Sequence, residues 1–142
     1  MKLSDEFCRL LKKNDKNYLE IICADGGSKI QLPYSGGNGA AIDITFLFEP
    51  EGDIKITARG IYKLKRMLYL DNILLTLNQF NARFPYARLS LCGREVVQNY
   101  RVFGFLSPAP EGLVRILNYL SVMLSALKYE LLLGELCWGA VE

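Results

Sequence analysis

Hydrophobic and polar residues change period several times along the chain, and each change marks an element. Phe7, Leu10 and Leu11 stand three and four apart within Ser4 to about Lys13, the single narrow apolar stripe of a helix. Ser4 suits its cap, Asp5 and Glu6 its positive N-terminal end, and Lys12 and Lys13 its negative C-terminal end. The period then falls to two. Tyr18 to Cys23 and Lys29 to Tyr34 read as strands around Asp25-Gly26-Gly27-Ser28, whose glycines permit a tight hairpin. In the second of them Ile30, Leu32 and Tyr34 alternate with Lys29, Gln31 and Pro33, and the proline argues for a sheet edge. Beyond a Gly36-Gly37-Asn38-Gly39 loop, Ile42, Ile44, Phe46 and Phe48 alternate with Asp43 and Thr45. After a turn at Pro50-Glu51-Gly52-Asp53, Ile54, Ile56 and Ala58 alternate with Lys55, Thr57 and Arg59.

From Tyr62 to Asn81 the helical period returns, with Met67, Leu70, Ile73, Leu74, Leu77 and Phe80 on one face and Pro85 enforcing the end. Its start reads two ways, because Ile61 to Tyr69 also fits a prolonged strand with Asp71 capping a shorter helix. Ala87, Leu89 and Leu91 then alternate up to a Gly93-Arg94 turn, and Val96 to Leu106 returns as a strand. Ser107, Pro108 and Pro110 open the longest helix, Glu111 to about Leu133. These elements predict an α+β fold, an antiparallel β-sheet flanked by helices in the order α-β-β-β-(β)-α-β-β-α, with four strands before the middle helix. No linker or repeat divides the chain, so residues 1–142 are expected to form a single domain.

The last helix carries more apolar surface than a sheet can cover. At about 100° per residue, Leu113, Ile116, Leu117, Leu120, Leu124, Leu127 and Leu131 make one broad stripe. Tyr119, Val122, Ala126, Tyr129 and Leu133 make a second on a different face, stepping 3, 4, 3, 4 as in a coiled coil. Asn118, Ser121 and Ser125 form a narrow polar strip between them. The second stripe is expected to be a dimer or partner interface, unless the first helix or the Cys137-Trp138 tail folds over it.

Composition narrows the chemistry. A chain that is 51% hydrophobic and 23% charged is ordinary globular material, and 17 basic against 15 acidic residues give a net charge of +2, too small to name a partner. There is no histidine, which excludes Ser-His and Cys-His catalysis and the common zinc sites. Cys8, Cys23, Cys92 and Cys137 are scattered without a C-x-x-C spacing and read as buried free thiols. Glu49, Glu51 and Asp53 cluster on a turn, where acids are ordinary solvated punctuation. The two glycine-rich segments lack the GK[ST] order and the strand-loop-helix setting of a phosphate cradle. No catalytic, cofactor-binding or metal-ligating residue is therefore expected, and no cofactor. Lys63, Lys65 and Arg66, interleaved with Tyr62, Leu64 and Tyr69, form a small basic-aromatic patch that could track a nucleic-acid backbone, against the plainer reading of a solvated helix shoulder. The charged start, Met1 to Glu6, lacks the apolar run of roughly 7 to 15 residues of a secretory signal. Ile116 to Leu127 is uncharged but bounded by Arg115 and Lys128, short of the ~20 residues that span a bilayer. A cytoplasmic location away from the membrane is expected.

The order of elements, with Leu77-Asn78-Gln79-Phe80-Asn81 closing the middle helix before a two-stranded hairpin and a long final helix, resembles the bacterial YbjN family. That family carries the label of sensory transduction regulator and shares the fold of type III secretion chaperones. The similarity runs over about residues 1–133 and implies a sheet flanked by helices, a homodimer, and binding of another protein or peptide segment without a cofactor. This chain departs from the chaperone pattern in having four strands rather than three before the middle helix, and in being slightly basic where secretion chaperones are acidic. A non-enzymatic protein-binding or regulatory module is the expected function. Nucleic-acid binding through the basic patch is the alternative, and a small enzyme using Cys, Lys or Tyr chemistry comes third.

Overall fold

The computed structural model describes residues 2–35 and 41–140, so the Gly36 to Gly39 loop lies outside the described residues. Helix α1 (Leu3–Lys13) leads into strands β1 (Leu19–Ile22), β2 (Ser28–Ser35), β3 (Ala41–Phe48) and β4 (Ile54–Lys63). A single 3-10 turn, Met67–Tyr69, runs into α2 (Leu70–Arg83), followed by β5 (Leu89–Cys92), β6 (Glu95–Val102) and α3 (Pro110–Ala140). The six strands form one antiparallel sheet in the order β1-β2-β3-β4-β6-β5. This is the expected α+β fold with four strands before the middle helix.

Alternation decides which face is covered. Ile30, Leu32, Ile42, Ile44, Phe46, Ile54 and Ile56 are buried, whereas their neighbours Lys29, Gln31, Thr45, Leu47, Lys55 and Thr57 are half-exposed. Helix α1 is fixed to the covered face by Phe7, whose ring lies 4.7 Å from Phe46 and 5.7 Å from Phe48 between centroids. The leucine stripe of α3 packs beside it, with Leu113, Leu117, Leu120, Leu124, Leu127 and Leu131 all buried.

Several boundaries move. Ser4 does not cap α1: it lies buried inside the helix, whose cap position is Lys2. Pro33 does mark an edge, because β1 pairs only with Ser28 to Gln31 and leaves the second half of β2 without a partner on that side. Strand β4 is prolonged to Lys63, and α2 begins at Leu70, eight residues after Tyr62, with Asp71 in its first turn. The cause is a bulge. The pairing with β6 jumps from Ala58–Gln98 to Tyr62–Val96, and Gly60, at φ 77°, takes the left-handed conformation that a side chain disfavours. Ile61 and Tyr62 are both buried beyond it, which breaks the alternation and imitates a helical pattern.

Ser107 also fails as a cap. It adopts φ 50° at the end of the 3-10 turn Gly104–Leu106, and α3 starts at Pro110, where a missing N–H costs nothing. At its other end α3 runs past Leu133, because Gly134 lies inside the helix. A Cβ there would stand 2.7 Å from the Trp138 ring, so glycine makes room for an indole that reaches Tyr69 at 5.8 Å. Over Pro110–Trp138 the helix is long and apolar enough to cross a membrane by length and composition alone. That corrects the short span read from Ile116 to Leu127; its leucine face, however, is packed on the sheet.

Candidate functional site

The surface of α3 that faces away from the sheet carries a row of exposed apolar residues. Val122 is 71% exposed, Tyr129 63%, Leu133 47% and Leu136 74%, and Ala126 lies exposed among them. Steps of four, three, four and three residues place all five along one side of the helix. Neither proposed cover is present. Helix α1 packs without hiding these residues, and the tail turns Trp138 toward Tyr69. Leu136 lies outside the stripe read from the sequence, because that reading ends the helix at about Leu133, although the 3-4 step continues through Leu136.

Tyr119, the first residue of the predicted stripe, is half-buried and makes its ring contacts within this chain. Its ring stands edge-on to Phe84 at 5.9 Å and to Tyr86 at 5.4 Å, and Tyr86 meets Tyr100 at 5.0 Å. Its hydroxyl is buried without a hydrogen-bond partner among the described residues, and desolvation raises its pKa. This aromatic row joins α2, β6 and α3. The Leu77 to Asn81 segment has a similar structural duty. Leu77 and Phe80 are buried, and the Asn81 side chain donates to the Leu89 carbonyl at 3.0 Å and accepts the Leu89 N–H at 2.8 Å. One amide thus serves edge strand β5 as a substitute for a neighbouring strand.

The basic patch does not sit on a helix shoulder. Lys63 ends β4, and Lys65 and Arg66 follow in the connection to α2, all three exposed. Tyr62, Leu64 and Tyr69 are buried, with the Tyr62 hydroxyl donating to Glu135 at 2.9 Å, so the interleaved rings are not available for stacking on bases. Lys63 and Lys65 instead line a cleft of about 470 Å³ beside the β4 bulge. Its inner wall holds Lys128, only 8% exposed, whose Nζ donates to the Gly60 carbonyl at 3.0 Å. Burial lowers the Lys128 pKa.

The remaining candidates resolve into structural roles. Glu49 and Asp53 hold Arg101 at 3.0 and 3.2 Å, and Asp53 also accepts the Gly104 N–H at 2.8 Å, which ties the β3–β4 turn to the end of β6. Glu51 is exposed. Of the cysteines only Cys8 is buried; Cys23 is half-buried, and Cys92 and Cys137 are exposed. The expectation of four buried thiols fails because Cys92 opens the Gly93 turn at the sheet edge and Cys137 points outward near the end of α3. All four are free.

Fold and surface together define an α+β protein with an antiparallel sheet covered on one face and an unburied apolar helix stripe. Comparison with protein-family models, with curated proteins and with solved structures finds no match for the chain.

Proposed function

We propose that this chain is a non-enzymatic protein-binding module that works as a homodimer in a bacterial cytoplasm, its subunits joined through the outward stripe of α3. The observation that carries this reading is the exposure of Val122, Tyr129, Leu133 and Leu136 along one helix face. Such a row in water is an aggregation hazard, and a second copy of the same helix is its simplest cover. The resemblance to YbjN and secretion-chaperone proteins agrees with it. A partner segment of another protein has a separate place to go: Leu19, Ile21 and Ile22 are exposed on edge strand β1, whose free side can take an added strand. Nucleic-acid binding is the weaker reading, since the aromatic residues of the basic patch are buried beneath it.

In light scattering at micromolar concentration the wild type should run as a dimer. Because a two-fold interface meets each substitution twice, Val122→Glu puts two carboxylates into an apolar seam and should give a folded monomer or aggregate. A monomeric wild type, or a mutant dimer of unchanged affinity, would refute the seam.

A further inference from the structure

The cleft beside the β4 bulge brings together a buried charge, an apolar wall and a rim of like charge. Lys128 lies four residues after Leu124 and three before Leu131, on the buried face of α3, where a lysine is least expected. Its ammonium has three N–H donors, of which the Gly60 carbonyl takes one. Among the described residues no carboxylate forms an ion pair with it. Glu95, the acid in the same wall, is occupied elsewhere: Arg59 holds it at 3.6 Å and it accepts the Gly60 N–H at 3.4 Å. A lysine with so little of its surface in water and no ion pair is uncommon, and such a position in a cleft marks a candidate site. Desolvation is what lowers its pKa.

The rest of the cleft fits a counter-ion that comes and goes. Lys63 and Lys65 add two exposed positive charges at the rim, and Leu132 and Tyr62 supply apolar wall. About 470 Å³ falls within the usual range for small-molecule sites. We propose that this cleft binds a small organic anion, its acidic head held by Lys128, Lys63 and Lys65 and its apolar body laid against Leu132 and the edge of Tyr62. Lysines grip as point charges rather than as planar forks, so a phosphate or a carboxylate head serves equally. The charge is set into a wall behind the rim, which suits a slender soluble molecule rather than a membrane surface or a polymer backbone.

Isothermal titration of the full chain with hexyl phosphate tests this, with hexanol and inorganic phosphate as half-ligands and phosphatidic-acid vesicles as the lipid source. Saturable binding of hexyl phosphate, tighter than either half, is expected. Lys128→Met keeps the stem and removes the charge, and should weaken that binding about tenfold or more while circular dichroism is unchanged. Should Lys128→Met fail to fold, Lys65→Glu on the exposed rim carries the same test. Failure of hexyl phosphate to saturate, hexanol binding equally well, unchanged affinity in a folded variant, or binding to vesicles alone would each overturn the site.

Discussion

At the scale of single residues, position within a periodic pattern says more than residue type. Lys128 was legible as a charge ending an apolar run, yet its spacing from Leu124 and Leu131 already placed it on the buried stripe; that signal was present and outweighed by its chemistry. Tyr119 shows the converse, since its spacing fits the outer stripe while its half-buried ring stands edge-on to Phe84 and Tyr86. The cysteines show how burial then sets reactivity. Burial, and after it the nearby Glu20 carboxylate, to which the thiol donates at 3.5 Å, push the Cys8 pKa up to about 11. A folded value above the unfolded one means that the protonated thiol stabilises the fold fully below about 8.5. That contribution is lost as pH rises through the folded value. Iodoacetamide near neutral pH should therefore label Cys92 and Cys137 quickly and leave Cys8 unmodified until the pH nears that raised value or the chain is denatured. Mass spectrometry of the native, timed reaction reads this, and early modification of Cys8 would contradict its burial.

At the scale of elements, the strands were legible wherever alternation was unbroken, and boundaries failed where one glycine changed the geometry. Gly60 loops the chain out of β4 so that Ile61 and Tyr62 both turn inward, and two adjacent buried residues read as helix. Gly134, just past the expected helix end at about Leu133, lies inside α3 as a gap filled by Trp138. Gly134→Ala weighs two effects of similar size. Helix propensity gains up to about 1 kcal/mol, while an aromatic pair is worth about 0.5–1.5 kcal/mol, so stability should change little. The position of the ring decides the matter, and Trp138 is the only tryptophan in the chain. Its fluorescence should shift to the red in the variant as the indole leaves Tyr69, with helix content by circular dichroism retained. Unchanged emission would show that Trp138 does not depend on the room Gly134 leaves.

At the scale of the whole molecule, one sheet face and three helices bury a single core and leave α3 with apolar surface that the described residues do not cover. That excess is visible in the sequence, because a helix with two apolar faces cannot satisfy both against one sheet. What the pattern alone did not reveal is that the stripe runs on to Leu136, and that the lysines at 63 and 65 belong to the rim of a cleft around Lys128 rather than to a helix. The central claim is that the outward stripe joins two copies of the chain. It is tested most directly by sedimentation equilibrium of two neighbouring variants, Tyr129→Glu within the stripe and Glu130→Lys one residue off it, both at exposed positions. The seam predicts that Tyr129→Glu sediments as a monomer while Glu130→Lys remains a dimer like the wild type. A dimer in both, or in neither with the wild type also monomeric, would contradict it.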